Sequence, residues 1–281
     1  MKLVSYLVSD RASFGLLTEN GIIDLRKKLD DKYVDLKSLL ADKEGLSIAK
    51  TFLDAPCDID EQDITYLPVI PNPNKILCVG MNYAEKRAEF NETSSAPTLF
   101  VRFPDSQTGH KTNIIKPAIT NELDYEGELA IVIGKFGFRI KQEDALSHVA
   151  GYSCYMDGSI RDWQYTWFTA GKNWPSTGAF GPNLTTTDEI PDPTVLSLTT
   201  YLNGQQMQHD SISNLVHTVP ELIAYISTFT HLSPGDVILT GSPGGVGKKR
   251  HPPVFMQDGD KIEVEITKIG RLINTVVAEK R

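Results

Sequence analysis

Short apolar runs separated by turn residues dominate the chain, and long amphipathic helices are rare. Eight runs after residue 74 have the composition of strands: KILCVG, TLFVRF, ELAIVIG, GYSCYM, SLTTYLNG, DVILTG, DKIEVEI and RLINTVVAE. Several adjoin hairpin signals such as Asn203-Gly204. Helical spacing appears near residues 84–90, 142–148 and 220–229. The pattern predicts an α+β protein that is mostly antiparallel β structure.

The first seventy residues follow a different pattern. Strand-like runs at 3–8, 14–17 and 22–25 precede helical patterning in YVDLKSLLAD and SIAKTFLDA. The segment YLPVIPNPNK then places three prolines within six residues, which breaks any helix. We therefore predict a small N-terminal α/β domain at 1–70 and a second domain at 71–281.

The segment DYEGELAIVIG begins an apolar strand with two carboxylates. Because side chains alternate along a strand, Glu126 and Glu128 share one face with Ala130 and Val132. Burying either carboxylate without a partner would be costly, and a hard divalent cation between them is one interpretation. The alternative is a solvated face, with residues such as Leu129 on the opposite side facing the core.

A third acidic residue ends another strand-like run in YSCYMDGSIRDWQ. Asp157 offers a further anionic oxygen, and Arg161 is a permanent charge suited to a carboxylate ligand or to bracing the acidic residues. The alternative interpretation is a helix start, with Asp157 as the N-cap and Asp162 in the first turn.

Composition narrows the classes of function. The net charge of −8 and the pI near 5.3 disfavour a nucleic-acid partner, which would need clustered Lys and Arg. The three cysteines have no CxxC spacing, and no stretch has the ~18 apolar residues of a membrane span. We expect a cytoplasmic protein without a membrane or nucleic-acid partner.

Six segments, taken in order, resemble the fumarylacetoacetate hydrolase family from about Lys75 to the end of the chain. They are ILCVGMNYAEKRAE, PTLFVRFPDS, DYEGELAIVIG, YMDGSIRDWQ, GKNWPSTGAFGP and DVILTGSPGGVG. The resemblance implies a mixed β-roll or barrel catalytic domain after a small N-terminal domain, and a homodimer. It also implies that Glu126, Glu128 and Asp157 bind Mg²⁺ or Mn²⁺, with Ca²⁺ as a third option.

The same resemblance implies the residues that bind a small dicarbonyl acid. They are Arg102, Arg161, Gln164, Lys172 and Thr240. Where the family has Lys before a Ser-Phe pair, this chain has Lys172 before Asn173 and Trp174, and Ser242 replaces the second Thr of a TGTP-like loop. We interpret the glycine-rich loop TGSPGGVG as a turn that brings backbone N–H groups close to an anionic ligand.

The main departure from the family lies in the segment NYAEKRAE. Family hydrolases usually read NYxxHxxE, where the His and the Glu activate water, whereas here Lys86 replaces the His and Glu89 is retained. We predict Glu89, Lys86 and Lys172 as catalytic residues. A second candidate base is His110, in a loop that we expect to be mobile.

The function implied by the resemblance is metal-dependent hydrolysis of a carbon-carbon bond in a β-diketo acid, such as an acylpyruvate or a fumarylacetoacetate-like compound. One alternative is a decarboxylase or tautomerase of a 2-oxo acid, with an oxaloacetate-like or hydroxymuconate-like substrate, because these reactions need no activated water. Another is a carboxylate-binding relative that has lost catalysis through the change to Lys86.

Overall fold

The computed structural model describes residues 1–280. Its first segment is a set of short strands followed by short helices. These are β1 Lys2–Val8, β2 Arg11–Thr18, β3 Gly21–Asp24, α1 Leu25–Lys28, α2 Leu36–Ala41, α3 Gly45–Lys50 and β4 Thr65–Tyr66. The predicted strands are confirmed here. The helical patterning is confirmed with shorter helices than the sequence suggested.

The rest of the described chain is rich in strands. Its elements are β5 Ile76–Gly80, α4 Ala84–Phe90, β6 Thr98–Arg102, β7 Gln107–Thr108, β8 Asn113–Lys116, β9 Leu123–Asp124, β10 Gly127–Ile133, β11 Val149–Met156, β12 Ser159–Ile160, α5 Thr169–Lys172, β13 Gly178–Thr186, β14 Ser197–Leu202, β15 Gln205–Ser211, α6 Val219–Phe229, β16 Val237–Leu239, β17 Lys261–Ile266 and β18 Gly270–Ala278. All eight predicted strands are present. The helix predicted at 142–148 is a 3₁₀ helix.

The strands form a large mixed sheet, a five-stranded sheet and one isolated pair. The main path of the large sheet is β3-β2-β1-β13-β11-β10-β16-β5-β6, and the second sheet runs β15-β14-β17-β18-β8. Most neighbours are antiparallel, but β5 with β16 and β8 with β18 are parallel. The predicted class, α+β and mostly β, is confirmed. Within residues 1–280 neither sheet closes into a barrel.

Strand β13 was not predicted, although it lies near the centre of the large sheet. Its sequence GAFGPNLTT contains two glycines and Pro182, which normally indicate a turn. The pairing of β13 with β11 shifts register between Tyr152 and Cys154, beside Gly181 and Pro182. Because the ladder is irregular there, the missing N–H of proline is tolerated.

The N-terminal strands join the sheet of the second segment. Lys2 and Leu3 of β1 pair with β13, and Phe14 packs in one core cluster with Val132 and Phe180. The division at residue 70 stays a prediction, and this shared core crosses it. No helix among residues 1–280 is long and apolar enough to cross a membrane.

Strand β10 lies between two apolar cores. Leu129 and Ile131 face the larger core cluster, whereas Ala130 and Val132 face the cluster shared with the N-terminal strands. The face that begins with Glu126 is therefore buried along the whole strand. The interpretation of a solvated face is wrong, and the carboxylates at the start of β10 need compensation inside the protein.

Candidate metal and active site

Two neighbouring strands bring three buried carboxylates together. Glu126 precedes β10, Glu128 lies within it, and Asp157 directly follows β11. The strands are antiparallel with Gly127 opposite Met156, and the backbone N–H of Asp157 donates to the carbonyl of Glu126 at 2.8 Å. One carboxylate oxygen of each residue lies within 4.8 Å of the other two. Strand pairing thus unites residues that are distant in sequence.

The interpretation of Asp157 as a helix N-cap is wrong. The 3₁₀ helix Arg161–Trp163 begins after Ile160 and has no side-chain cap. Asp157 instead has a fully buried carboxylate that accepts hydrogen bonds from Arg102 and Lys172. Its side chain is committed to the acidic cluster.

Glu128 carries the strongest sign of uncompensated negative charge. Burial raises the pKa of the Glu128 carboxyl well above its usual range, and the charges of Asp157 and Glu126 raise it further. The N–H of Gly241 donates to Glu128 at 2.9 Å and offsets part of this effect. Three buried carboxylate groups within reach of one point fit a hard divalent cation such as Mg²⁺, Mn²⁺ or Ca²⁺.

Glu126 is surrounded by positive charge. Burial alone would raise the pKa of its carboxyl, but Lys172, Lys86 and Arg161 together hold that pKa well below its usual range. Lys172 Nζ donates to Glu126 Oε2 at 3.1 Å, and the Arg161 guanidinium donates to Oε1. The Glu126 carboxyl is therefore ionised across the physiological pH range.

Lys172 lies at the end of the short helix α5 and reaches into the acidic cluster. Its Nζ donates to Ser159 Oγ at 2.6 Å and to the carboxylates of Asp157 and Glu126. Although burial opposes it, the charges of Asp157 and Glu126 raise the pKa of the Lys172 amine. Lys172 is thus a fixed positive charge on the floor of the site.

Arg161 is held by a residue that sequence reasoning missed. Asp124 is fully buried and accepts from Arg161 Nε at 2.8 Å. Arg161 Nη1 donates to Gln164 Oε1 at 3.1 Å. The sequence could have indicated this residue, because Asp124, Glu126 and Glu128 are spaced two residues apart and so lie on the same side of an extended chain.

Arg102 braces Asp157. Its Nη1 donates to Asp157 Oδ1 at 2.7 Å and to the carbonyl of Gly158, while Nε and Nη2 bond Ser106 and Thr177. These contacts use all five N–H donors of the guanidinium. Because all five N–H donors bind protein groups, none is left for a substrate, which argues against the predicted role of Arg102 in binding one.

The glycine-rich loop after β16 binds carboxylates of the protein itself. The backbone N–H groups of Gly241, Gly245 and Gly247 donate at 2.9, 2.8 and 2.7 Å. Their acceptors are Glu128, Glu89 and Asp124. The expectation that these amides contact a free anionic ligand is wrong for these three groups, which instead orient acidic side chains.

The two remaining predicted ligands of the substrate keep unused polar atoms. Thr240 is fully buried, and within residues 1–280 its hydroxyl has no hydrogen-bond partner. Gln164 Nε2 is likewise buried without a partner in the described chain. Gly171 permits this position of Gln164, because a Cβ there would lie 2.2 Å from Gln164 Cγ.

The acidic cluster opens into a narrow cavity. Besides the charged floor, its walls are the backbone turn at residues 79–81, the rings of Phe100 and Phe168, and the side chains of Lys86 and Ser242. About 20 Å³ is available to the centres of water molecules, roughly the space for one of them. Trp163 and Trp174 pack against the core, and Trp167 is exposed.

The sequence comparisons identify the family. Residues 75–277 match the family model described as "Fumarylacetoacetate (FAA) hydrolase C-terminal". The chain belongs to the fumarylacetoacetate hydrolase family. The resemblance inferred from the sequence motifs is therefore confirmed.

Two relatives within the family are named as tautomerases. The mitochondrial oxaloacetate tautomerase FAHD2A of Bos taurus is 38% identical over 289 residues, covering 99% of this chain and 92% of that protein. Oxaloacetate tautomerase YisK of Bacillus subtilis is 41% identical over 215 residues, covering 74% and 71%. Among solved structures, maleylpyruvate hydrolase from Sphingobium sp. SYK-6, in complex with manganese(II) and pyruvate, has a TM-score of 0.84 at 28% identity, with 100% of both chains covered.

Lys86 occupies the position where family hydrolases usually have His. It is the buried residue of helix α4, and its Nζ lies 3.4 Å from Glu126 Oε1 and 3.2 Å from Ser242 Oγ. Burial lowers the pKa of the Lys86 amine, Glu126 opposes this shift, and Arg161 adds to it. Besides burial, the positive charges that lower the pKa of Lys86 are those of Arg161 and Lys172, whereas the Arg87 guanidinium points toward the carbonyl of Ser94.

His110 is not placed as a substitute base. Its Nδ1 accepts the backbone N–H of Ile273 at 3.1 Å, and its ring packs edge-on against Tyr66 at 4.9 Å between centroids. The side chain is buried, and burial together with the charge of Lys111 lowers the pKa of His110 to about 4. The expectation of a mobile catalytic histidine is wrong, because the loop is anchored between β18 and the N-terminal segment.

Proposed function

We propose that this protein interconverts the keto and enol forms of a small 2-oxo acid of the oxaloacetate type, with Mg²⁺ or Mn²⁺ bound by Glu126, Glu128 and Asp157. The observation that carries the proposal is the buried amine of Lys86, 3.4 Å from Glu126 in the position of the usual water-activating His. The names of the relatives from Bos taurus and Bacillus subtilis support it. Hydrolysis was the first expectation from sequence, and these findings support the tautomerase alternative better.

Tautomerisation requires only that a proton leave C3 of the acid and that the C2 oxygen receive one. A divalent cation at the three carboxylates would supply Lewis acidity toward the 2-oxo group. Lys86 Nζ, on the side of the cavity facing that floor, removes the proton from C3. The three N–H donors of the Lys172 ammonium are bonded to Glu126, Asp157 and Ser159, so Lys172 acts through its fixed positive charge, which stabilises the negative charge that develops on the C2 oxygen. The Lys86 ammonium then returns this proton to the C2 oxygen, so the atoms balance without water or another reactant.

Arg161 is the best placed residue for the carboxylate of the acid. Three hydrogen bonds, to Asp124, Gln164 and Glu126, hold its guanidinium in place. Two of its five N–H donors remain for a ligand. Gln164 Nε2 adds one more unused donor beside them. Arg102 contributes indirectly, by orienting the carboxylate of Asp157.

The test is the ultraviolet absorbance of enol-oxaloacetate, followed by stopped-flow with and without Mg²⁺ or Mn²⁺. We expect the relaxation to keto-oxaloacetate to accelerate in proportion to protein concentration, with no release of pyruvate. The variant Glu126→Ala should abolish the acceleration. An unchanged relaxation rate with both metals would exclude the proposal, and metal-dependent binding of oxaloacetate without turnover would identify a carboxylate-binding relative.

Hydrolysis of an acylpyruvate is a second candidate function, favoured by the likeness to maleylpyruvate hydrolase. It needs a residue that activates water, and Glu89 is the retained member of the usual pair. Glu89 Oε1, however, accepts the N–H of Gly245 at 2.8 Å. Release of acetate from acetylpyruvate would support this candidate. The homodimer and the cytoplasmic location stay predictions.

A further inference from the structure

The cavity is bounded on one side by two aromatic rings. Phe100 and Phe168 lie 5.3 Å apart between ring centroids, inclined at 52°, and both line the cavity. Lys172 Nζ lies 5.1 Å from the Phe100 centroid, so the rings stand directly beside the charged floor. The two rings therefore form an aromatic wall next to the residues that would hold a 2-oxo acid.

The two rings are anchored differently. Phe100 belongs to β6 and packs against the core cluster shared with the N-terminal strands. Phe168 immediately precedes α5, at the end of an exposed segment in which Tyr165 is 81% and Trp167 77% exposed. Phe168 is therefore the ring next to the exposed segment, and it contacts Phe100 and begins the turn that leads into α5.

That turn ties Phe168 to the charged floor. The carbonyl of Phe168 accepts the N–H of Gly171 at 3.0 Å, one residue before Lys172. A Cβ at Gly171 would lie 2.7 Å from the carbonyl oxygen of Ile160, so the turn is compact and closely applied to the strand end beneath it. The distance between the aromatic wall and the Lys172 ammonium is thus set by four residues of tight backbone.

We infer that Phe168, backed by Phe100, limits the size of the substrate and selects short 2-oxo acids over those with a bulky group on C3. This inference rests on the proposed function for the class of ligand. An apolar wall discriminates by excluding volume, and one methylene group in such a pocket changes relative specificity by roughly ten-fold or more. Acids with an extended or aromatic tail are excluded by the ring of Phe168.

The experiment compares pyruvate with phenylpyruvate, which differ by one phenyl group on C3. Binding of each to the full chain is measured by calorimetry in the presence of Mg²⁺, with oxalate as a ligand too small to reach the wall. We expect the wild type to bind oxalate and pyruvate but phenylpyruvate more than ten-fold more weakly than pyruvate. Phe168→Ala should raise phenylpyruvate affinity at least ten-fold and leave oxalate affinity within about three-fold.

Phe168→Leu is the second variant, since it keeps an apolar side chain and decides the question if the alanine variant does not fold. It should give a smaller gain for phenylpyruvate in the same direction. Trp167→Ala is the matched control, because it removes the neighbouring exposed ring and should change neither affinity. Equal binding of pyruvate and phenylpyruvate by the wild type, or no gain in the folded Phe168 variants, would overturn the inference.

Binding needs no turnover, so the outcome is separable from that of the tautomerase assay. A gain in phenylpyruvate binding without any acceleration of enol-oxaloacetate relaxation would remove the proposed function and leave the size limit. An accelerated relaxation, together with unchanged affinities for the three ligands in Phe168→Ala, would remove the size limit and leave the proposed function.

Discussion

The carboxylate floor of the cavity and the side that faces it are built in different ways. The floor is carried by β10 and β11, in the interior of the large sheet between β16 and β13. The facing side is carried by the seven-residue helix α4. Strand pairing and two cores fix the floor, whereas few contacts fix this short helix. On the proposed function, the metal and the acid would bind to the rigid part, and the reaction type would depend on the other.

The floor is also more fully hydrogen-bonded. Arg102 uses every donor on protein acceptors, and two loop amides orient the carboxylates of Glu128 and Asp124. Within residues 1–280, the Lys86 amine makes two hydrogen bonds, one of them at 3.4 Å. A substitution on the facing side should therefore alter turnover while sparing metal binding. A substitution in the floor should disturb folding and metal binding together.

The largest expected effect comes from Lys86→Met, which keeps the apolar stem and removes the amine. The rate of enol-keto interconversion should fall by roughly 10²-fold to 10⁴-fold, because the proton acceptor is lost. Mn²⁺ affinity should stay unchanged or rise, since a positive charge beside Glu126 is removed. Stopped-flow absorbance and calorimetry measure the two quantities.

The matched control for that variant is Lys249→Met. The amines of Lys86 and Lys249 lie 5.3 and 4.4 Å from the ring centroid of Phe90, but Lys249 is exposed. Its removal should change the rate by less than about three-fold. Equal losses of rate in both variants would contradict the proposed division of the site into a binding floor and a facing side that sets the reaction.

The next effect tests the floor. Arg102→Met leaves the fully buried carboxylate of Asp157 without one of its two cationic partners and should lower the free energy of unfolding by roughly 3–5 kcal/mol. Arg11→Met is the control, because Arg11 pairs with Asp31 at 2.6 Å on the surface, where such pairs contribute less than about 1 kcal/mol. Urea unfolding measures both. A loss for Arg102→Met no larger than the control would show that the floor is not held by this network.

A smaller effect concerns His110, outside both regions. Its pKa of about 4 lies below the ordinary value of 6.5, so the unfolded chain binds the proton more readily between these values. The contribution of His110 to the free energy of unfolding should be fully present above pH 6.5 and should fall by about 3 kcal/mol as the pH decreases to 4. Below pH 4 this contribution should not change further. His110→Asn keeps an acceptor for Ile273 and should remove this part of the acid destabilisation, measured by urea unfolding at each pH. His251→Asn, at an exposed position, is the control for the change of histidine to asparagine, and an equal effect in both variants would contradict the assignment to His110.

His110 also illustrates what sequence reasoning misses. The flanking Gly and Thr of its loop predicted mobility, because local composition contains no record of the distant β18 segment that anchors it. Strand β13 was not predicted for the same reason, because its pairing with the distant strands β1 and β11 outweighs the local Gly-Pro turn signal. By contrast, Glu126 and Glu128 could be placed on one face from a period of two alone. The union of this face with Asp157 followed from the family resemblance, and the bracing by Asp124 came only from the structure.

The smallest expected effect separates the two candidate reactions at Glu89. Glu89→Gln keeps the oxygen that accepts the Gly245 N–H, so the free energy of unfolding should change by less than about 1 kcal/mol. A tautomerase needs Glu89 only to position α4 against the glycine-rich loop, and its rate should stay within about three-fold. Glu89→Ala removes that hydrogen bond and should cost about 1 kcal/mol of stability, with a partial loss of rate. If Glu89→Gln instead lost more than about 10²-fold in rate at unchanged stability, the carboxylate itself would take part in proton transfer. The facing side would then retain the water-activating chemistry of the hydrolases.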